Sequence, residues 1–163
     1  MFQLIFTTMQ KIVLAAVLIL GFSFSTQQTS AHCEVPCGIY GDSVRVKLIY
    51  EHIKTIEKAM ASIDKESAKG KPNYNQLVRW VNNKEIHAEK IQKIVSQYFL
   101  HQRIKPVSQS NGHAYGHYTQ KLMLLHKISV FAMKCKQSTD QANITTLRST
   151  VAAFEKAYFT HSH

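Results

Sequence analysis

The sequence predicts an all-α protein, an up-and-down four-helix bundle that follows an N-terminal segment of a different kind. Three observations carry this. Apolar residues recur at three- and four-residue spacing in four separate stretches. The breaks between those stretches are mostly short and carry Gly, Pro, Ser and Asp. No strand-like alternation of useful length interrupts them. Four helices joined by mostly short connections pack most readily as antiparallel neighbours in a bundle.

The first helix follows Gly41-Asp42-Ser43, a turn in which Asp42 or Ser43 is placed to act as N-cap. Ile49, Ile53, Ile56, Met60 and Ile63 form its seam, and the helix runs to about Ala68, before Gly70 and Pro72. The second begins near Tyr74 or Asn75. Its apolar positions Leu77, Val81, Ala88, Ile91, Val95 and Tyr98 continue to roughly Gln102. Lys105-Pro106 ends it, and Val107 to Ala114 reads as a polar loop. The third helix covers about Tyr115 to Lys136, with Leu124, Ile128, Phe131 and Cys135 on one stripe, which makes Cys135 a small buried hydrophobe. Ser138-Thr139-Asp140 starts the fourth, whose buried edge is Ile144, Leu147, Val151, Phe154 and Tyr158. Val44, Leu48, Trp80, Phe99, Leu100 and Leu122 fall off these seams. Some of them are expected outside a monomer's core, where an oligomer would bury them.

The first 31 residues read as a secretory signal. Lys11 supplies a positive n-region, Ile12 to Phe24 is a 13-residue apolar run, and Thr29-Ser30-Ala31 offers small residues at −1 and −3. The run is short for a bilayer span, although an uncleaved anchor has the same composition. Met9 serves as well as Met1 for the start. With residues 1–31 removed, Lys11 is lost and the chain keeps 19 Lys+Arg against 10 Asp+Glu, a balance of +9. No basic cluster interleaves with aromatics, so nucleic acid is not an expected partner. The charge suits a diffuse field that draws in a small anion, or a merely solubilising surface.

The chemistry is concentrated just past the cleavage point, in His32-Cys33-Glu34-Val35-Pro36-Cys37-Gly38-Ile39-Tyr40. If the chain is cut before His32, that residue gains a free α-amine. One amine, one imidazole, the amide of Cys33 and two thiols then lie within six residues. Such a mixed N/S set suits Ni(II) or Cu(II) far better than Mg or Ca. The alternative from the residues alone is a Cys33–Cys37 disulfide with Cys135 left over, since exported proteins favour disulfides. His101, His113, His117, His126, His161 and His163 read as surface histidines.

The block His32 to Tyr40 resembles the nickel hook of nickel-containing superoxide dismutase, with Glu34, Val35 and Ile39 as mild substitutions. The helical layout and the stretch Trp80 to Pro106 are similar to the family more loosely. The resemblance implies an exported enzyme, periplasmic or secreted, with a hook at residues 32–40, a bundle at 43–160 and one nickel ion per chain. It implies that His32 gives its α-amine and imidazole, Cys33 its amide nitrogen and thiolate, and Cys37 its thiolate. Four of these would make a square plane around Ni(II), and the His32 imidazole would join as an axial ligand to Ni(III). Anionic donors of this kind lower the nickel couple into the range of superoxide chemistry. Tyr40 resembles a tyrosine that stands over the open face, although it also reads as a hydrophobic anchor for the loop. Pro36 would bend the loop, and Gly38 would permit positive φ or close approach. The resemblance further implies superoxide as substrate, a homohexamer, and no stable membrane association after cleavage.

One departure stands out. Family members hold the axial imidazole with a glutamate in the first helix and an arginine in the second, and these positions align with Leu48 and His87. Glu51 or His52 are the available substitutes, or His87 itself acting with a carboxylate. The alternative from another class is a non-enzymatic secreted helical protein, closed by the disulfide or carrying nickel or copper.

Overall fold

The structure is a computed structural model that describes residues 38–160, within the unit Glu34–His163. The expected signal segment, the hook residues His32, Cys33 and Cys37, and the tail histidines His161 and His163 lie outside the described residues.

Four helices follow one another. α1 is Asp42–Ser67; α2 is Tyr74–Lys93 and continues as a π-helical segment, Ile94–Arg103; α3 is Gly112–Gln137; α4 is Gln141–Phe159. No strand occurs among the described residues. α1 packs on α2 and α4, α2 on α3, and α3 on α4, so the neighbours close a ring, as a four-helix bundle requires. Among the described residues no helix is long and apolar enough to cross a membrane.

The seams explain the packing. In α4, Ile144, Leu147, Val151, Phe154 and Tyr158 are all buried as the periodicity predicts. In α1, Val46, Ile49, Ile53, Ile56 and Met60 are buried, whereas Ile63 is only partly so. α2 starts late on its seam: Leu77 is half-buried and Val81 exposed, and burial begins in earnest at Ala88. Each large aliphatic side chain removed from water contributes about 1.5–3 kcal/mol, so these stripes, not helix propensity, hold the bundle together.

Three expectations are corrected. α3 begins at Gly112, because the Asn111 side chain caps it by accepting from the Ala114 N–H; His113 therefore sits on the helix and not in the loop. Its buried stripe is Leu125, Ile128, Ala132 and Cys135, with Leu124 and Phe131 only flanking the core. Phe99 is not an off-seam residue but fully buried, with ring centroids 4.9 Å from Phe154 and 5.4 Å from Tyr158. The π-helical segment has more residues per turn than an α-helix, so Tyr98 and Phe99 both face inward, where a 3.6-residue period separates them. Val44, by contrast, is 55% exposed, and Leu48, Trp80, Leu100 and Leu122 are partly so.

A buried cation closes the far end of α3. Lys84, from α2, is 4% exposed, and its Nζ donates to the carbonyls of Cys135 (2.8 Å), Lys136 and Ser138 (3.4 Å). Helix C-termini leave carbonyls without partners and carry partial negative charge, which an ammonium satisfies. Replacing Lys84 by Met keeps the stem and removes the cap. We expect unfolding free energy to fall by about 2 kcal/mol, read as a lower urea midpoint at unchanged slope. A variant as stable as the parent would show the cap to be dispensable.

Candidate metal centre

Of the expected hook, the described residues begin at Gly38, whose φ of +75° lies in the left-handed region. A Cβ there would meet no atom within 4 Å, so glycine serves the backbone conformation and not a close approach. The backbone thus bends at Gly38. Ile39 then points to solvent at 81% exposure, and Tyr40 is held against the bundle.

Tyr40 rests on two side chains. Its ring meets Tyr98 edge-on at a centroid distance of 6.0 Å, and the Arg103 guanidinium lies 4.3 Å from its centre. Both supports come from the π-helical segment, and both are fixed by Asp42. The Asp42 carboxylate accepts from Arg103 Nε at 2.9 Å and Nη2 at 2.8 Å, a bidentate pair. It also accepts from the Tyr98 hydroxyl and, at 2.8 Å, from the Tyr158 hydroxyl. Asp42 is therefore not the N-cap. The cap position is Gly41, with no side-chain hydrogen bond, and Asp42 is the first residue of α1.

The electrostatics follow from these contacts. Burial pushes the Asp42 carboxyl up, but hydrogen bonds from Arg103, Tyr98 and Tyr158 outweigh it and hold the group below its usual value. Burial and then the hydrogen bond to Asp42 push the phenols of Tyr98 and Tyr158 up to about 12. The hydrogen bond to Asp42 likewise raises Arg103. Under neutral conditions the hub is a carboxylate, a guanidinium and two neutral phenols.

His87, aligned with the family's arginine, meets His52 from α1. Their Nδ1 atoms are 3.0 Å apart, with ring centroids at 4.9 Å and planes at 75°. Of the substitutes considered, His52 is the one the structure brings to His87; Glu51 is exposed, and Leu48 is half-buried. Burial first, then Lys90, pulls His87 below the usual imidazole value, and burial and then His87 do the same to His52.

Cys135 is buried, and burial pushes its thiol up to about 11, which makes it a poor ligand. His113 and His117 face each other on α3, Nε2 to Nε2 at 3.3 Å. They line a cavity of about 590 Å³ with Arg103, Lys105, Lys121 and Tyr158, so part of the diffuse charge is gathered beside the hub. Among the described residues no group of three or more His, Cys, Asp or Glu gathers to hold a metal. Sequence reasoning missed the hub itself. The only hint was an acidic residue directly before an apolar seam, which capping explains equally well.

The model of the family described as nickel-containing superoxide dismutase matches residues 27–162. No curated protein and no solved structure matches the chain. The family match covers the block His32 to Tyr40 and all four helices, and it decides for an enzyme over a non-enzymatic helical protein. The chain belongs to the nickel-containing superoxide dismutase family: it is a nickel-dependent oxidoreductase that acts on superoxide.

Proposed function

We propose that residues 1–31 are removed on export and that the mature chain begins at His32, with nickel held in its first six residues. His32 would hold the ion through its α-amine and imidazole, Cys33 through its amide nitrogen and thiolate, and Cys37 through its thiolate. The donor chemistry fits, because nitrogen and thiolate donors match Ni(II), and Gly38, next in sequence, holds the left-handed φ of a bend. When bound, nickel supplies a one-electron couple between its divalent and trivalent states, by which one superoxide leaves as dioxygen and a second, with two protons, leaves as hydrogen peroxide.

The chain's own groups have separate tasks. Cys33 and Cys37 lose their thiol protons on binding, so assembly releases protons and weakens in acid. Tyr40, 44% exposed, offers a phenol that orders water and screens access at the end of the hook. Arg103 and Tyr98 fix the plane of that ring. Arg45, whose guanidinium lies 5.0 Å from the centre of the Tyr98 ring, places a positive charge nearby, which favours a small anion over a neutral molecule.

The observation that carries this reading is the block His32 to Tyr40 itself, ending on a tyrosine clamped by Arg103. The test is a chain extended by one residue ahead of His32. The amine becomes an amide, and turnover is expected to fall by more than about 100-fold, beyond what loss of an outer-sphere contact costs. Undiminished turnover in the extended form would exclude the amine ligand.

The proposed assembly is a homohexamer. Ile39, Tyr40 and Val44 are exposed apolar residues around the hook's base, which supports a neighbouring subunit covering it. Sedimentation velocity is expected to give one species near six chains; a monomer at working concentration would remove the hexamer.

A further inference from the structure

We propose that His52 and His87 form a second metal site, one that takes a divalent first-row ion of the Ni(II) or Cu(II) type between α1 and α2. Two nitrogens bound to one ion at about 2.0–2.1 Å stand about 2.9 Å apart when their bonds meet at a right angle, and about 3.4 Å apart at the tetrahedral angle. The two Nδ1 atoms are 3.0 Å apart, close to the right-angle value. Square-planar and tetragonal coordination is the preference of Cu(II) and Ni(II), whereas Zn(II) takes the wider tetrahedral angle.

The site is built by the bundle, not by chance proximity on one helix. His52 belongs to α1 and His87 to α2, and their backbones are set by the buried residues Ile53 and Ala88 beside them. Both rings are partly buried, so side-chain freedom is already reduced before the ion arrives, while the open side leaves coordination positions for water. The charges around the pair are mixed: Glu51 favours a cation, and Lys90 opposes one.

Protons balance without a co-reactant. In the structure one Nδ1–H donates to the other Nδ1. The ring that donates changes tautomer, its proton leaving Nδ1 while Nε2 takes one up. Both Nδ1 lone pairs then serve the ion, and both imidazoles remain neutral. The exchange replaces a shared hydrogen with a shared metal, and nothing is oxidised or reduced.

The site uses no hook residue, so it is tested in the Cys33→Ser/Cys37→Ser chain, where the hook thiolates are gone. Ni(II), and separately Cu(II), is titrated by calorimetry, with circular dichroism to show that each variant is folded. One equivalent is expected to be lost, or weakened at least tenfold, in His52→Ala and in His87→Ala, while His113→Ala retains it. Ni(II) is also expected to raise the thermal midpoint of the thiolate-free chain but not that of its His52→Ala derivative, because only the folded bundle brings the two rings together. If His52→Ala and His87→Ala leave both isotherm and midpoint rise unchanged, or if no ion binds, the site does not exist. The hook reading stands or falls separately, on the activity of the chain with intact cysteines.

Discussion

With the proposed thiolate ligation, replacing Cys33 or Cys37 by serine is expected to abolish dismutation, lowering it by more than about 100-fold, since a lost ligand exceeds the cost of a lost outer-sphere partner. The helical content will be unchanged. A serine hydroxyl stays protonated at neutral pH and is a hard donor, so the anionic sulfur that suits nickel has no substitute. The bundle is indifferent to the change, because α1 begins only at Asp42 and the core is made by the four helical seams. Measured together, superoxide consumption should vanish while far-UV circular dichroism and the thermal midpoint hold. Near-full activity in either variant would show that thiolate ligation is wrong. A collapsed spectrum would show instead that the hook is part of the fold.

Asp42→Asn will destabilise the protein and weaken activity together. The amide keeps an acceptor oxygen but presents an NH₂ where Arg103 and Tyr158 now donate, and it leaves the guanidinium without its counter-charge. Exposed ion pairs contribute under about 1 kcal/mol and fully buried ones cost about 3–5 kcal/mol to break. With side-chain exposures of 17% for Asp42 and 30% for Arg103, the pair lies between these limits. A loss of about 2 kcal/mol follows, with a thermal midpoint lower by about 5 °C. The sign of the pH dependence also follows. The folded Asp42 carboxyl titrates below its ordinary value, so its contribution is complete above about pH 4 and disappears as pH falls through the lower folded value. The parent should therefore lose more stability between pH 7 and pH 3 than Asp42→Asn does, by urea midpoints. Equal acid sensitivity in the two would show that the hub's charge is immaterial.

Much of the fold was legible because its information is local. Ile144, Leu147, Val151, Phe154 and Tyr158 announce α4 by spacing alone, and all five are buried. Cys135 was legible for the same reason. What spacing does not carry is the identity of distant partners. Asp42 reads as a cap because acidic residues before a helix usually are, and its actual partners lie 56 to 116 residues away. Phe99 was misplaced because a 3.6-residue template has no provision for a π-helical segment. Of the α3 stripe, Ile128 and Cys135 are buried as expected, whereas Leu124 and Phe131 were each drawn one residue from the buried Leu125 and Ala132, because that helix is apolar around much of its circumference. His87 was singled out by alignment with the family's arginine, and His52 as one of the substitutes for the glutamate missing at Leu48, yet only their placement on packed helices brings their rings together. For the hook, His32, Cys33 and Cys37 were singled out by residue type, spacing and resemblance to the family, and they lie outside the described residues.

The Asp42 hub also bears on the order in which the molecule is made. It joins the first residue of α1 to Tyr98 and Arg103 in the π-helical segment and to Tyr158 in the last turn of α4. Loops of such length close late, after the local helices have formed. A chain emerging N-terminus first thus has Asp42 from early on but no finished hub behind Tyr40 until α4 has been made. Removing the last turn of α4, which carries Tyr158, would leave Tyr40, Tyr98 and Arg103 present and the hub incomplete, so the end of the bundle governs how firmly the residues ahead of α1 are held.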